Sequence, residues 1–300
     1  MRTTFIEELI VQARIRPEIF LVVGDLGYSV IEPFAREFPD RYLNAGVAEQ
    51  NMTGVAAGLA SEGYHVFTYS IANFPTLRCL EQFRNDVCYQ NHAVTAVAVG
   101  GGLVYGSLGY SHHALQDLAI MRTMPNTTVL APGDPGEVQQ CLQWLAAHPG
   151  PSYLRLGKTA EKTLHSKKGI DEGPIQVREG DKTCAVISTG GVLDLALETA
   201  TVLEAFGVRA AVYSNPWLSP IGAKWFNELK AYSLLVTVEE HIHEGGLGMI
   251  IASSEAAHNN VLPFAVGLEL NGAVGSQLFL REKAGLEAKK IASRVLARMK

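Results

Sequence analysis

Short aliphatic and β-branched runs alternate with helix-period segments along this chain, and the alternation breaks only once. Ile19–Val23, Tyr64–Tyr69, Ala93–Val99, Thr127–Leu130 and Ser152–Leu156 read as strands. Phe5–Arg14, Glu49–Ser61, Leu77–Tyr89, His113–Thr123 and Gly136–Ala147 read as helices between them. Gly157–Lys182 is rich in Lys, Gly, Glu and Asp and contains Pro174, which predicts a linker that wraps the surface. The alternation resumes with strands Cys184–Ser188, Ala210–Tyr213, Leu234–Val238 and Leu262–Ala265. Helices are expected at Leu193–Phe206, Pro220–Ala231, Leu247–Ala257 and Leu286–Met299. Strands without a polar face need cover on both sides, which helices flanking a parallel sheet provide. The expected fold class is α/β, two consecutive open α/β domains with mostly parallel sheets. Their expected bounds are 1–160 and 183–300, joined by a linker at 161–182.

A length of 300 residues with 47% hydrophobic content suits two domains with ordinary cores. The net charge of −5 and the lack of a basic stripe argue against nucleic acid as a partner. Cys79, Cys88, Cys141 and Cys184 have no CxxC spacing and read as free thiols of a reducing compartment. The first apolar run carries Glu7 and Glu8, unlike a signal peptide, and no run approaches the ~20 residues of a membrane span. A soluble, cytoplasmic protein is expected.

In Arg41–Ala60, RYLNAGVAEQNMTGVAAGLA, one acid sits at a loop-to-helix junction walled by Gly and Ala. Each internal helical Gly costs ~1 kcal/mol relative to Ala. Such a helix is worth building where a backbone or a flat ligand must come close. Glu49 can be a helix-start acid that complements the macrodipole, or a working group. A buried carboxyl is pushed toward its neutral form and can share a proton with a ring nitrogen.

A second constellation is the glycine-rich loop Gly100–Gly109, GGGLVYGSLG, which precedes His112 and His113 at a strand's carboxyl end. The histidines either cap the following helix or face a ligand. Ile71 and Phe74 can wall a flat heterocycle or belong to the core. His241 and His243 lie two apart beside three glutamates, but a third ligand at zinc spacing is absent. That loop is expected to meet another subunit or to lead into a glycine-started helix.

RYLNAGVAEQNMTGVAAGLA and SLGYSHHALQDLAIMRTMPNTTVLAPGDPGE resemble the pyrimidine-binding domain of transketolases and of the related deoxyxylulose-phosphate synthases. The likeness runs on through PSYLRLGK, and VTVEEHIHEGGLG is similar to the transketolase C-terminal domain. The resemblance implies thiamine diphosphate as cofactor, with Glu49 as the catalytic glutamate that bonds N1′ of its aminopyrimidine. The organic chemistry is then the cofactor's, and the protein positions and polarises it. His112 matches a family histidine that contacts substrate and is the second implied catalytic residue. Asp25 matches an aspartate near the thiazolium, while Ser29 and Lys158 fall where substrate-phosphate contacts are found. Ile71 and Phe74 fall where aromatics pack on the pyrimidine, and only Phe74 keeps an aromatic ring.

The departures shape the functional expectation. Leu108 replaces an aspartate that helps read a sugar hydroxyl, and Gly100 replaces a histidine. A site relying on such polar contacts discriminates strongly, so an unusual sugar is implied. The Gly-Asp-Gly motif through which the family holds Mg²⁺ and the diphosphate is absent, and no metal ligand is assigned in this chain. A split transketolase follows: one subunit that transfers a two-carbon ketol unit from a ketose or sugar-phosphate donor to an aldose acceptor. Its partner is a separate N-terminal subunit carrying Mg²⁺ and the diphosphate. Homodimerising contacts along the Gly/Ala helix imply a two-plus-two heterotetramer. A beta subunit of a 2-oxo-acid dehydrogenase, a deoxyxylulose-phosphate-synthase-like enzyme and a non-catalytic interaction subunit remain open.

Overall fold

Continuous apolar runs can be buried on both faces only in the middle of covered sheets. A computed structural model of the chain, which describes residues 1–157, 162–256, 260–267, 270 and 272–300, builds two such sheets. The first takes β1 (Ile19–Val23), β2 (Tyr42–Asn44), β3 (His65–Ile71), β4 (Val94–Val99), β5 (Thr128–Leu130) and β6 (Ser152–Leu156). The later strands are β7 (Ile175–Arg178), β8 (Asp181–Thr189), β9 (Ala210–Ser214), β10 (Trp217–Ser219), β11 (Leu234–Ile242) and β12 (Val261–Val266).

The first sheet has the order β10-β5-β6-β4-β3-β1-β2 and is parallel except for β10. The second runs β12-β11-β8-β9-β7, with β7 antiparallel. Side chains of β1 alternate as the pleat demands. Phe20 and Val22 enter one core, while Ile19, Leu21 and Val23 enter the other. Helices α1 (Arg2–Ile15) and α6 (Pro135–Ala147) pack together on the latter face. Asp134 starts α6 by accepting the Glu137 amide at 2.8 Å. Helices α2 (Glu32–Glu37) and α3 (Glu49–Ser61) follow β1 and β2, and α3 turns Met52, Ala56 and Ala57 into the opposite core.

Two expected helices take other forms. Across Leu77–Tyr89 the chain makes a 3₁₀ turn, one α turn, α4 (Leu80–Gln82), and a π-helix at Phe83–Cys88. The wide π turn lets Phe83, Val87 and Cys88 all face inward. Pro220–Ala231 keeps only a 3₁₀ segment at Asn227–Ala231, with turns at 223–226 and no regular structure at 220–222. The linker also holds an unforeseen edge strand, β7, hidden by its shortness and charged flanks.

The two halves share one core. The cluster on the α3 face continues through Leu118 of α5 (Asp117–Arg122) to Ala185, Ile187, Tyr213 and Leu235 of the second sheet. Backbone bonds seal the seam: Ala131 N–H to Pro216 O at 2.7 Å and Ile242 N–H to Leu115 O at 2.9 Å. Helix α7 (Leu193–Glu204) covers one face of the second sheet with α10 (Ala288–Met299), α8 (Leu247–Ala252) covers the other, and α9 (Gln277–Lys283) lies against the glycine loop. The four cysteines are buried free thiols. Among the described residues no helix is long and apolar enough to cross a membrane.

The linker is tied down near its start. Buried Asp134 accepts the Leu164 amide at 2.7 Å, and His165 Nε2 lies 2.9 Å from Glu137 Oε1. Burial works against a charged imidazole, but the Glu137 hydrogen bond and the charges of Glu137 and Asp134 outweigh it and raise His165 above its ordinary value. The stabilisation is full below the ordinary imidazole value and fades as pH climbs through the raised one. His165→Gln should therefore cost most near pH 6 and least near pH 9 in urea titrations, and a pH-independent loss would contradict this. Leu235→Ala should cost ~2–5 kcal/mol and lower the unfolding midpoint of both halves together. A first sheet that melts at the wild-type midpoint would show separate cores.

Candidate active site

Ligands of open α/β sheets bind beyond the carboxyl ends of the strands, and here the first sheet gathers its unusual residues at that edge. Gly24–Ser29 leaves β1, Gly46–Glu49 leaves β2, Ala72–Arg78 leaves β3 and Gly100–His113 leaves β4. Lys158, beyond β6, lies outside the described residues.

Asn44 joins the first two segments. Its Oδ1 accepts the Asp25 amide at 3.1 Å and the Gly46 amide at 2.9 Å, and its Nδ2 donates to Asp25 Oδ1 at 2.9 Å. Gly46, at φ +74°, then turns the chain sharply, a backbone state that glycine enters without strain. Glu49 thereby becomes the first residue of α3, with only 1% of its surface exposed. Gly24 allows β1 to pass close by, since a Cβ there would sit 3.4 Å from Glu49 Cγ.

The buried carboxylate is compensated. Ser70 Oγ donates to Oε1 at 3.3 Å, and Arg78 Nη1 donates to Oε2 at 2.7 Å. Arg78 keeps 45% of its side chain exposed, so one partner stays hydrated while the other is dry. Its guanidinium also lies 4.3 Å from the Phe74 ring centroid. Phe74 in turn meets the His112 imidazole edge-on, 5.3 Å between centroids. Glu49, Phe74 and His112 are thus brought into one line of contacts through Arg78, with half-buried Ile71 at the end of β3 nearby in sequence.

Asp25 and Ser29 occupy an exposed loop at φ +54° and +64°. Left-handed conformations of this kind cost of order 1 kcal/mol each and cluster at functional sites. The Ser29 amide is held by Glu32 Oε1 at 2.8 Å.

His112 places Nδ1 3.0 Å from Ser111 Oγ. His113 is buried with Nε2 3.3 Å from Gly106 O, a structural position. Neither histidine caps α5, whose N-cap residue is Gln116. Asn73 Nδ2 donates to the carbonyls on both sides of His112, Ser111 O at 3.1 Å and His113 O at 2.8 Å. Leu108 is 55% exposed in a 3₁₀ turn, and the Tyr105 ring covers Gly100.

The His241/His243 pair does not form a metal site. His241 is buried, accepts the Ala119 amide on Nε2 at 3.2 Å and must donate from Nδ1 to Ile242 O at 2.7 Å, whereas His243 is exposed. Burial lowers the His241 pKa, consistent with that neutral tautomer. Glu239 caps α8 by accepting the Leu247 and Gly248 amides, and burial pushes it up to about 7 against their pull. The glycine-started helix expected after this loop is observed, with Gly246 as the N-cap of α8.

Sequence reasoning missed Asn44, Ser70, Asn73 and Arg78. Each looks like an ordinary polar residue of a strand end or helix, and its role exists only through a partner far along the chain. The assembled groups fit a flat heterocycle with a ring nitrogen. Each carboxylate oxygen has two lone pairs, so Glu49 retains acceptor capacity beyond Ser70 and Arg78. No group of three or more His, Cys, Asp or Glu among the described residues is placed to hold a metal ion.

Gly100→Ala should destabilise the protein by more than ~1 kcal/mol, because its φ is +81° and a methyl group would overlap the Tyr105 ring. Adding Tyr105→Ala should recover only the steric part of that loss in thermal melts, and full recovery would remove the backbone argument.

The pyrimidine-binding domain of transketolase matches residues 1–162, and the transketolase C-terminal domain matches residues 173–291. The chain is 34% identical to an apulose-4-phosphate transketolase subunit of Actinobacillus succinogenes, over 79% of this chain and 77% of that one. The protein of the same name from Phocaeicola vulgatus is 30% identical, over 88% and 86%. Among solved structures, a split gene transketolase in an inactive beta4 tetramer superposes with a TM-score of 0.86 at 31% identity, covering 99% of this chain and 97% of that one. Transketolase from Campylobacter jejuni has the same fold, with a TM-score of 0.82 at 19% identity, and this chain spans 46% of it. The chain belongs to the transketolase family, of which it carries the pyrimidine-binding and C-terminal domains.

Proposed function

We propose that this chain is one subunit of a two-chain, thiamine-diphosphate-dependent transketolase. It moves a two-carbon ketol unit from a phosphorylated ketose to an aldose. The observation that carries this reading is Glu49: a carboxylate 1% exposed, at a loop–helix junction, in line with Phe74 and His112.

The pyrimidine end of the cofactor fits these residues: Glu49 would bond its ring nitrogen and Phe74 would help wall it. When bound, the cofactor supplies the nucleophilic carbon and the electron sink for carbon–carbon cleavage. Glu49 holds or releases the proton on that nitrogen, and Ser70 and Arg78 keep its carboxylate in place. His112 would contact the substrate from near the closing end of the glycine loop, Asp25 would serve the reacting end, and Ser29 and Lys158 would take the substrate phosphate. The partner subunit holds the diphosphate through Mg²⁺.

The two apulose-4-phosphate transketolase relatives, each named as a subunit, support this division. The split-gene relative is described as an inactive beta4 tetramer, in keeping with a chain that needs another. A two-plus-two heterotetramer would use α3, where Gly54 and Gly58 have no heavy atom within 4 Å of a Cβ position. The apolar Leu108 and the covered Gly100 leave fewer polar groups for sugar hydroxyls. A phosphorylated ketose of the apulose kind, after which two relatives are named, is therefore the first donor to screen. The buried free thiols suit a cytoplasmic setting.

With its partner subunit, thiamine diphosphate and Mg²⁺ present, Glu49→Ala should lower ketol transfer and cofactor C2-proton exchange by about 10²–10⁴-fold. Assembly, followed by size-exclusion chromatography, should be intact. Wild-type proton exchange in the variant would remove Glu49 from the chemistry.

A further inference from the structure

The glycine loop that ends in His112 is gripped from the second half of the chain. Its ends are pinched together by a two-way backbone bridge, Gly102 N–H to Ala114 O and Ala114 N–H to Gly102 O, each 3.0 Å. At this pinch sits Glu240 of β11, 5% exposed. Its Oε2 accepts the Leu103 amide at 3.2 Å, and it is ion-paired to Arg281 of α9. Gln277 Nε2, also on α9, lies 3.1 Å from both carboxylate oxygens. A Cβ at position 102 would overlap the Glu240 side chain, so glycine there permits the approach.

The neighbouring contacts point the same way. Arg155 of β6 is buried and donates from Nη2 to Ala114 O at 2.6 Å and to Glu240 O at 2.8 Å, tying the pinch to the β11 backbone. Its Nε is ion-paired with Asp117 Oδ2 at 3.1 Å. Farther along the loop, the Gly275 amide donates to Gly106 O at 3.2 Å. His112 lies two residues before the closing partner of the bridge, and its neighbours' carbonyls are held by Asn73 on the other side.

We infer that Glu240 is a positioning residue for substrate recognition: from the C-terminal domain it fixes the loop that presents His112. This inference rests on the proposed function for its catalytic consequence, though not for its structural one. A buried carboxylate with an arginine and a backbone amide as partners is costly to half-dismantle. Losing it frees the Leu103 amide and takes a carboxylate away from Arg281 at the base of the loop. The effect reaches the sugar through His112 and leaves Glu49, on the α3 side, in place.

The test has two arms. In the full chain alone, hydrogen exchange of a peptide spanning 100–113 should be about tenfold faster in Glu240→Ala than in wild type, with β1–β3 peptides unchanged. In the assembled enzyme, the same variant should raise KM for the ketose donor about tenfold while cofactor affinity stays at the wild-type level. Glu240→Gln keeps an acceptor for Leu103 and should fall between the two. Arg281→Met keeps the carboxylate and should perturb the loop less than Glu240→Ala does. If Glu240→Ala does not fold, Glu240→Gln decides: faster exchange at 100–113 than in wild type, with β1–β3 peptides unchanged, supports the inference. Exchange at 100–113 that matches wild type in the variants, or that rises equally throughout the chain, would overturn the inference. A wild-type complex without ketol transfer would instead count against the proposed function, while the exchange arm still decides on Glu240.

Discussion

An acid side chain taken out of water must be compensated where it lies, or it will not stay there. Glu49 meets that condition with a hydroxyl from β3 and a guanidinium from the turn beyond it, and much of the surrounding architecture makes those partners available. Gly24 thins β1 beside the carboxylate, Asn44 clamps two loops, and Gly46 turns the chain so that α3 begins at the acid. Ala56 and Ala57 let α3 lie close against the core, while Gly54 and Gly58 face away from it. Arg78 has a second role, because its planar cation rests on Phe74 and so orders the ring facing His112.

The C-terminal half supports that edge of the first sheet. The seam is built from backbone bonds, a shared apolar cluster and buried charged pairs involving Arg155, Asp117, Glu240 and Arg281. Buried ionic networks of this kind contribute little net stability compared with apolar packing, but they tolerate few alternative arrangements. In this chain they surround a glycine-rich loop that would otherwise have great backbone freedom. The second half of the chain can thus still govern the shape of a loop that belongs to the first sheet.

The long central strands were legible because burial on both faces leaves unbroken aliphatic runs, as in Ile19–Val23 and Val94–Val99. The edge strands β2, β7 and β10 were not, since three or four residues carry too little periodicity to separate from loop. The π-helix at Phe83–Cys88 read as an ordinary helix, because its apolar spacing differs by a single position. At the site, Glu49 stood out through its glycine and alanine setting, and His112 through its loop. Asn44, Ser70, Asn73 and Arg78 acquire meaning only from contacts 19 to 40 residues away, which local pattern does not encode.

The short strand Trp217–Ser219 has a consequence for how such a polypeptide can be divided. It belongs by sequence to the C-terminal half, yet it completes the outer margin of the N-terminal sheet by pairing with β5, and Trp217 packs against Trp144 there. Cutting the chain at the linker would strip that margin, baring unpaired amides, carbonyls and an indole face, features that invite sheet-to-sheet association between molecules. The linker is therefore a boundary in sequence that the first sheet does not respect.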